Sequence, residues 1–105
     1  MKTLRFMLEY ECYPIWIYDE MGEMLQNELP DEFKNDKRLV SLLDEIHEEF
    51  DNLYENTNTC FQYNGFVTEF AKNVFFEKVN QAIDLIKDNA KNFYAVQVDV
   101  EKEKL

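Results

Sequence analysis

The sequence predicts an α+β fold in one domain spanning 1–105, because it combines two long segments of helical periodicity with several short strand-like segments. The first helical segment, 36–56, repeats apolar residues at spacings of three and four, and the second runs from 68 to about 90. Residues 3–11 and 93–100 alternate apolar and polar positions, as strands do. The predicted order is β-β-(β)-α-β-α-β, which favours a small antiparallel or mixed sheet with both helices packed on one face.

The first strands are predicted to form a meander. After the strand at 3–11, a second strand is predicted at 15–18, where both faces are apolar. This leaves open whether Trp16 and Tyr18 face outward or lie beneath a helix, because strand parity decides it. A glycine-containing turn follows, and 23–26 is predicted to return as a short third strand.

Both helices carry N-terminal capping signals, Asp36 for the first and Thr68 for the second. Four acidic residues are predicted on the solvent face of the first helix: Asp44, Glu48, Asp51 and Glu55. The predicted apolar stripe of the second helix consists of Phe70, Val74, Val79, Ala82, Ile83 and Ile86. Between the helices, 59–63 is predicted as a strand, and the Asn-Gly pair after it as a strand-to-helix joint.

The formal net charge is -11, from 22 acidic against 11 basic residues. This sign argues against direct binding to nucleic acid or to an anionic membrane, since both rely on Lys and Arg. It permits fast, salt-sensitive association with a basic partner, although acidic surfaces also simply keep proteins dispersed. Acidic residues interrupt the N-terminal apolar stretch, so no signal peptide is predicted and the cytoplasm is the expected compartment.

Catalytic signatures are scarce, and the sequence predicts no cofactor, metal site or catalytic residue. The one candidate cluster is Asp44, His47 and Asp51, which helical spacing places on one flank. These residues could bind a metal or act as acid and base; alternatively, the histidine is a boundary residue bonding to nearby carboxylates. Cys12 and Cys60 are expected to be free thiols, although a disulfide between them stays open.

One stretch of the chain resembles a known class of proteins. The "WIYDEMGE" turn, "NELPDEF", the acidic Leu-rich helix and the "YNGF" joint are similar to features of small acidic bacterial immunity proteins. Those proteins accompany toxins of polymorphic or contact-dependent growth-inhibition systems. The resemblance covers roughly the first two thirds of the chain. It implies a non-enzymatic inhibitor that binds one cognate toxin, often a nuclease with a basic cleft, and blocks its active site or an essential surface.

The sequence therefore predicts an antitoxin-like binding protein, with the acidic helix face as the main partner surface and the hairpin at 16–23 as the second. The hairpin residues expected to contribute are Trp16, Tyr18, Asp19, Glu20 and Glu23. One alternative is a nucleic-acid mimic that inhibits several DNA-binding proteins. Another is a small metal-assisted enzyme using Asp44, His47 and Asp51.

Overall fold

A computed structural model describes residues 1–105 and contains six strands, two α-helices and two short 3-10 helices. In chain order they are β1 (Lys2–Met7), β2 (Ile15–Tyr18), β3 (Met24–Gln26), a 3-10 helix (Asp31–Phe33), α1 (Lys37–Asp51), β4 (Tyr54–Asn56), β5 (Phe61–Tyr63), α2 (Glu69–Ala90), β6 (Tyr94–Asp99) and a 3-10 helix (Lys102–Lys104). The α+β prediction is confirmed.

The main sheet is mixed and has the strand order β3-β2-β1-β6. β1 pairs antiparallel with β2 and parallel with β6, so that Leu4 lies between Ile17 and Val96. β2 pairs antiparallel with β3. The parallel pair arises because the chain passes across one face of the sheet through both helices before it returns as β6.

The two helices cover one face of this sheet. Leu4 and Phe6 of β1 and Ile15 and Ile17 of β2 are buried in the same core cluster as the helices' inner faces. The buried helix residues are Leu39, Leu42, Leu43, Ile46 and Phe50 of α1, with Phe75, Phe76, Val79, Ala82, Ile86 and Ala90 of α2. Neither helix is long and apolar enough to span a bilayer.

The two isoleucines of β2 face the core, which settles the orientation of this strand that the sequence left open. Trp16 and Tyr18 therefore lie on the opposite face of the sheet, and both are partly exposed. The indole N–H of Trp16 donates to the Met7 carbonyl at 3.2 Å. Arg5 donates to the Tyr18 hydroxyl at 3.3 Å and also to Asp99. These hydrogen bonds link β2 and β6 across the outer face of the sheet.

The first helix is shorter than the sequence predicts, since α1 ends at Asp51 and not at Asn56. The Leu53 carbonyl instead accepts from the backbone N–H groups of Asn64 and Gly65, at 2.7 and 3.2 Å. Residues 54–56 then pair with 61–63 as a separate two-stranded sheet. The prediction of Glu55 on the helix face is therefore wrong, because it lies in β4.

Aromatic packing explains why the chain leaves the helix at this point. The rings of Tyr54 and Phe61 stack with centroids 5.6 Å apart, and Tyr10 packs against both, at 4.8 and 5.1 Å. Aromatic residues favour strands when they can pair across them. The strand predicted at 59–63 consequently belongs to this hairpin and stays outside the main sheet.

The second helix follows the prediction closely at its N-terminus. The Thr68 hydroxyl accepts from the Ala71 N–H at 3.0 Å, which confirms the cap. Phe70, however, is 76% exposed, so its assignment to the buried stripe is wrong. With 22 residues against 15, α2 is about 10 Å longer than α1, and its first turn extends past the core.

Candidate protein-binding surface

The exposed side of α1 carries a row of unpaired negative charge. Asp44 and Glu48 are four residues apart, so they lie one above the other on one flank, and the neutral C-cap residue Asn52 follows one turn further on. Both carboxylates are exposed, and neither side chain forms an ion pair or a hydrogen bond within the chain. We call Asp44 and Glu48 the acidic row.

The neighbouring flank of α1 is partly neutralised by α2. Lys78 donates to Glu49 at 2.9 Å across the contact between the helices. This hydrogen bond raises the pKa of Lys78, and the nearby charge of Glu45 adds to the effect. The acids of α1 that form no ion pair or side-chain hydrogen bond are therefore Asp44, Glu45 and Glu48, of which Glu45 lies on the flank near Lys78.

Asp51 differs from Asp44 and Glu48, because one of its oxygens accepts a hydrogen bond from a distant loop and the other lies near His47. Oδ1 accepts from the Glu11 N–H at 2.9 Å, and Oδ2 lies 3.3 Å from Nε2 of His47. Glu11 has a φ of 61°, a left-handed conformation uncommon for a residue with a side chain. Asp51 thus holds the loop between β1 and β2 against the end of α1.

Of the candidate cluster of Asp44, His47 and Asp51, the structure brings His47 and Asp51 together, and Asp44 forms no ion pair with His47. His47 faces Asp51 on one side and the edge of the Tyr13 ring on the other, at a centroid distance of 5.8 Å. Asp44 acts instead on Tyr13: burial raises the pKa of that phenol to about 12, and the Asp44 charge adds to the shift. No group of three or more His, Cys, Asp or Glu side chains is placed to hold a metal ion.

Both cysteines are free and partly buried, so the disulfide that the sequence leaves open is not formed. Cys12 lies in the loop after β1, and Cys60 directly precedes β5. Burial raises the pKa of the Cys12 thiol, and the negative charges of Glu9 and Asp51 raise it further. A raised pKa keeps the thiol protonated and therefore poorly nucleophilic.

In the second predicted surface, the turn between β2 and β3, most acidic side chains form contacts within the protein. Oδ1 of Asp19 accepts from the N–H groups of Met21 and Glu23, both at 2.9 Å, which fixes the turn. Glu20 pairs with the Met1 ammonium at 3.2 Å, and these contacts lower the pKa of Glu20, its own backbone hydrogen bond being the largest cause. Of the predicted acids here, only Glu23 has an exposed carboxylate without a partner.

The sequence reasoning missed an apolar surface beside the β4–β5 hairpin. Tyr63, Val67 and Phe70 are exposed; Val67 lines a pocket of about 230 Å³, Tyr63 lies near Gly65 in its wall, and Phe70 directly precedes Ala71, which also lines it. We call Tyr63, Val67 and Phe70 the apolar patch. The sequence did show many large apolar residues between Phe61 and Phe70, but Phe70 was assigned to the buried stripe of the second helix.

Comparison with known proteins adds no relative to this description. No protein-family model matches the chain, and a search of curated proteins found no match either. The function proposed below therefore depends on the surface itself and on the sequence resemblance described above.

Proposed function

We propose that this chain is a non-enzymatic binding protein for a basic partner, and that the partner is a cognate toxin domain with a positively charged nuclease cleft. The observation that carries the proposal is the pair of unpaired carboxylates on α1, Asp44 and Glu48. The resemblance to small acidic immunity proteins supplies the kind of partner. A cytoplasmic location belongs to the same proposal.

The physical mechanism combines attraction with steric blocking. A net charge of -11 attracts a cationic surface over the screening length, about 8–10 Å at physiological salt. Charges that find no partner in their own chain are free to pair with lysine or arginine at little cost in lost internal contacts. Once docked, α1 and its neighbours occupy the cleft and exclude the substrate.

The test begins with capture of partners from a lysate of the source organism on the immobilised protein. We expect one stoichiometric basic protein that survives moderate salt and whose activity is toxic when produced alone and harmless when produced with this chain. Many unrelated DNA-binding proteins eluting together would contradict the immunity proposal and favour a nucleic-acid mimic. Recovery of no basic protein would overturn both.

The purified partner then permits a charge-matched kinetic test. We expect Asp44→Asn with Glu48→Gln to slow association several-fold and to flatten its dependence on salt. Asp84→Asn with Asp88→Asn is the control, because these two exposed acids of α2 have the same spacing, change the net charge equally and form no internal contacts. Equal slowing by both pairs would show that overall charge acts and that the acidic row does not.

A further inference from the structure

The apolar patch has the composition of an anchor site for a protein partner. We propose that a basic protein docks on Tyr63, Val67 and Phe70 and inserts one aliphatic or aromatic side chain into the pocket beside them. The proposal deepens the function above and rests on it for the basic character of the partner. It places the centre of the interface at the start of α2, where the sequence predicted only core.

The exposure of these side chains has no explanation within the fold. Val67, 96% exposed, precedes the Thr68 cap, a position where an apolar side chain ordinarily packs on the fourth helical residue. That residue is Lys72, whose ammonium donates to the Leu105 carbonyl at 2.9 Å, so Val67 has no such contact. Large apolar side chains left in water together commonly mark interaction sites.

The pocket gives the patch a receptor for a side chain. Its walls come from the end of α1, the chain after it, the joint before α2 and the inner side of α2, namely Glu49, Asn52, Leu53, Gly65, Phe66, Val67, Ala71 and Phe75. The Tyr63 ring lies 3.5 Å from where a Cβ on Gly65 would stand, and Phe70 adjoins Ala71 in sequence. A cavity of about 150 Å³ is enough to bind benzene, so a pocket of about 230 Å³ can hold one aromatic or branched side chain.

The charges around the pocket select a basic occupant. Glu48 lies one helical turn before Asn52 of the pocket wall, so one unpaired carboxylate of α1 stands beside the pocket, while Glu49 in the wall is paired with Lys78. On the other side, Glu69 in the first turn of α2 is exposed and without an ion pair. An apolar centre with a charged rim is the usual anatomy of a protein interface.

A second copy of the chain does not fit this surface equally well. Each copy carries a net charge of -11, and a dimer through the patch would bring two acidic rims together. Like charges facing each other across an interface oppose association. A basic partner removes that repulsion and uses both the row and the pocket at once.

The experiment is an NMR titration of the isotope-labelled protein with short synthetic peptides. The probe has one tryptophan flanked by lysines; two matched peptides replace the lysines by glutamates or the tryptophan by serine. We expect the lysine–tryptophan peptide to shift the amide signals of Leu53, Gly65 and Ala71, and each matched peptide to bind roughly tenfold more weakly or not at all.

A pair of variants locates the binding. Phe70→Gln should weaken binding of the lysine–tryptophan peptide roughly tenfold, and Phe93→Gln, at a phenylalanine 73% exposed in the turn between α2 and β6, should leave it unchanged. Val67→Ser is the second patch variant, and its near-complete exposure means that the fold is not at stake. Amide shifts confined to the acidic row, or equal shifts with the peptide whose tryptophan is replaced by serine, would contradict docking on the apolar patch. Neither result would contradict the proposed function.

Two further outcomes would also overturn the inference. Equal binding of the glutamate–tryptophan peptide would show that the occupant need not be basic. A dimer detected by sedimentation that dissociates on Phe70→Gln would show that the patch is covered by a second copy. Neither outcome depends on whether a toxin partner is captured from lysate, so this test and the test of the proposed function fail independently.

Discussion

Four acidic residues that the sequence treats alike have three different environments in the structure. Asp44 and Glu48 are exposed and unpaired, Asp51 is bonded to Glu11 and faces His47, and Glu55 accepts from Gln62 in β4 at 3.1 Å. Helical spacing predicts which side of α1 a residue takes. It carries no information on which distant loop will present an N–H to one carboxylate, because that contact spans 40 positions.

The different environments predict different costs of substitution. Asp51→Ala leaves the Glu11 N–H without its acceptor and releases a loop held in a left-handed conformation, so we expect a loss of about 1 kcal/mol in the free energy of unfolding. Glu48→Ala, three positions earlier on the same helix, should change it by less than about 0.5 kcal/mol. Urea denaturation measures both, and equal values would contradict the structural role of Asp51.

At the level of elements, the starts of both helices and the end of α2 were predictable, whereas the end of α1 was not. The caps Asp36 and Thr68 act through local hydrogen bonds, so the residue type at each of these positions predicts the start of a helix. The end of α1 was missed because Leu53 is buried whether the helix continues or stops, and its periodicity therefore fits both structures. Phe70 was misplaced for a related reason: periodicity orients a side chain on a helix without showing where the core beneath it ends.

The α1 cap gives a prediction for acid stability. The pKa of Asp36 is lowered, first by the Leu39 N–H and then by the Asn89 amide, both of which favour the charged carboxylate. A folded pKa below the unfolded value, about 3.9, contributes stability that is complete above that pH and is lost as pH falls through the folded pKa. Protonation of Asp36 therefore weakens the start of α1.

Asp36→Asn tests this linkage, because asparagine keeps an oxygen for the cap and does not titrate. We expect the wild type to exceed the variant in unfolding free energy by a constant amount above about pH 5, with the difference shrinking as pH falls below about 3.9. Subtracting the two curves cancels the other carboxylates. A difference that does not change with pH would show that the Asp36 charge is not involved.

For the molecule as a whole, the pattern of apolar and polar residues predicts the class of fold, whereas contacts between remote segments decide which strands pair. The order of elements predicts an antiparallel or mixed sheet with both helices on one face, and the parallel pairing of β1 with β6 is what makes the sheet mixed. The separate β4–β5 hairpin depends on Tyr10 meeting Tyr54 and Phe61, a contact between remote segments. The apolar patch could not be predicted for the same reason, because the sequence does not distinguish an aromatic residue in the core from one on the surface.

The overall charge predicts a response of stability to salt. With a net charge of -11, repulsion among carboxylates opposes the folded state. Raising sodium chloride from about 0.01 M to about 1 M shortens the screening length from about 30 Å to about 3 Å, so the free energy of unfolding in urea should rise. Sucrose at matched osmolality is the control for general exclusion effects, and a fall with salt would mean that surface attraction dominates.

The parallel pairing of β1 with β6 also has a consequence for biosynthesis. Lys2 lies beside Tyr94, so β1 acquires that neighbour only after both helices have been made. At about 5–20 residues per second, roughly 5–20 s separate the two strands on the ribosome. During that interval the β1 edge that later pairs with β6 is open, and Leu4 and Phe6 lack part of their final cover.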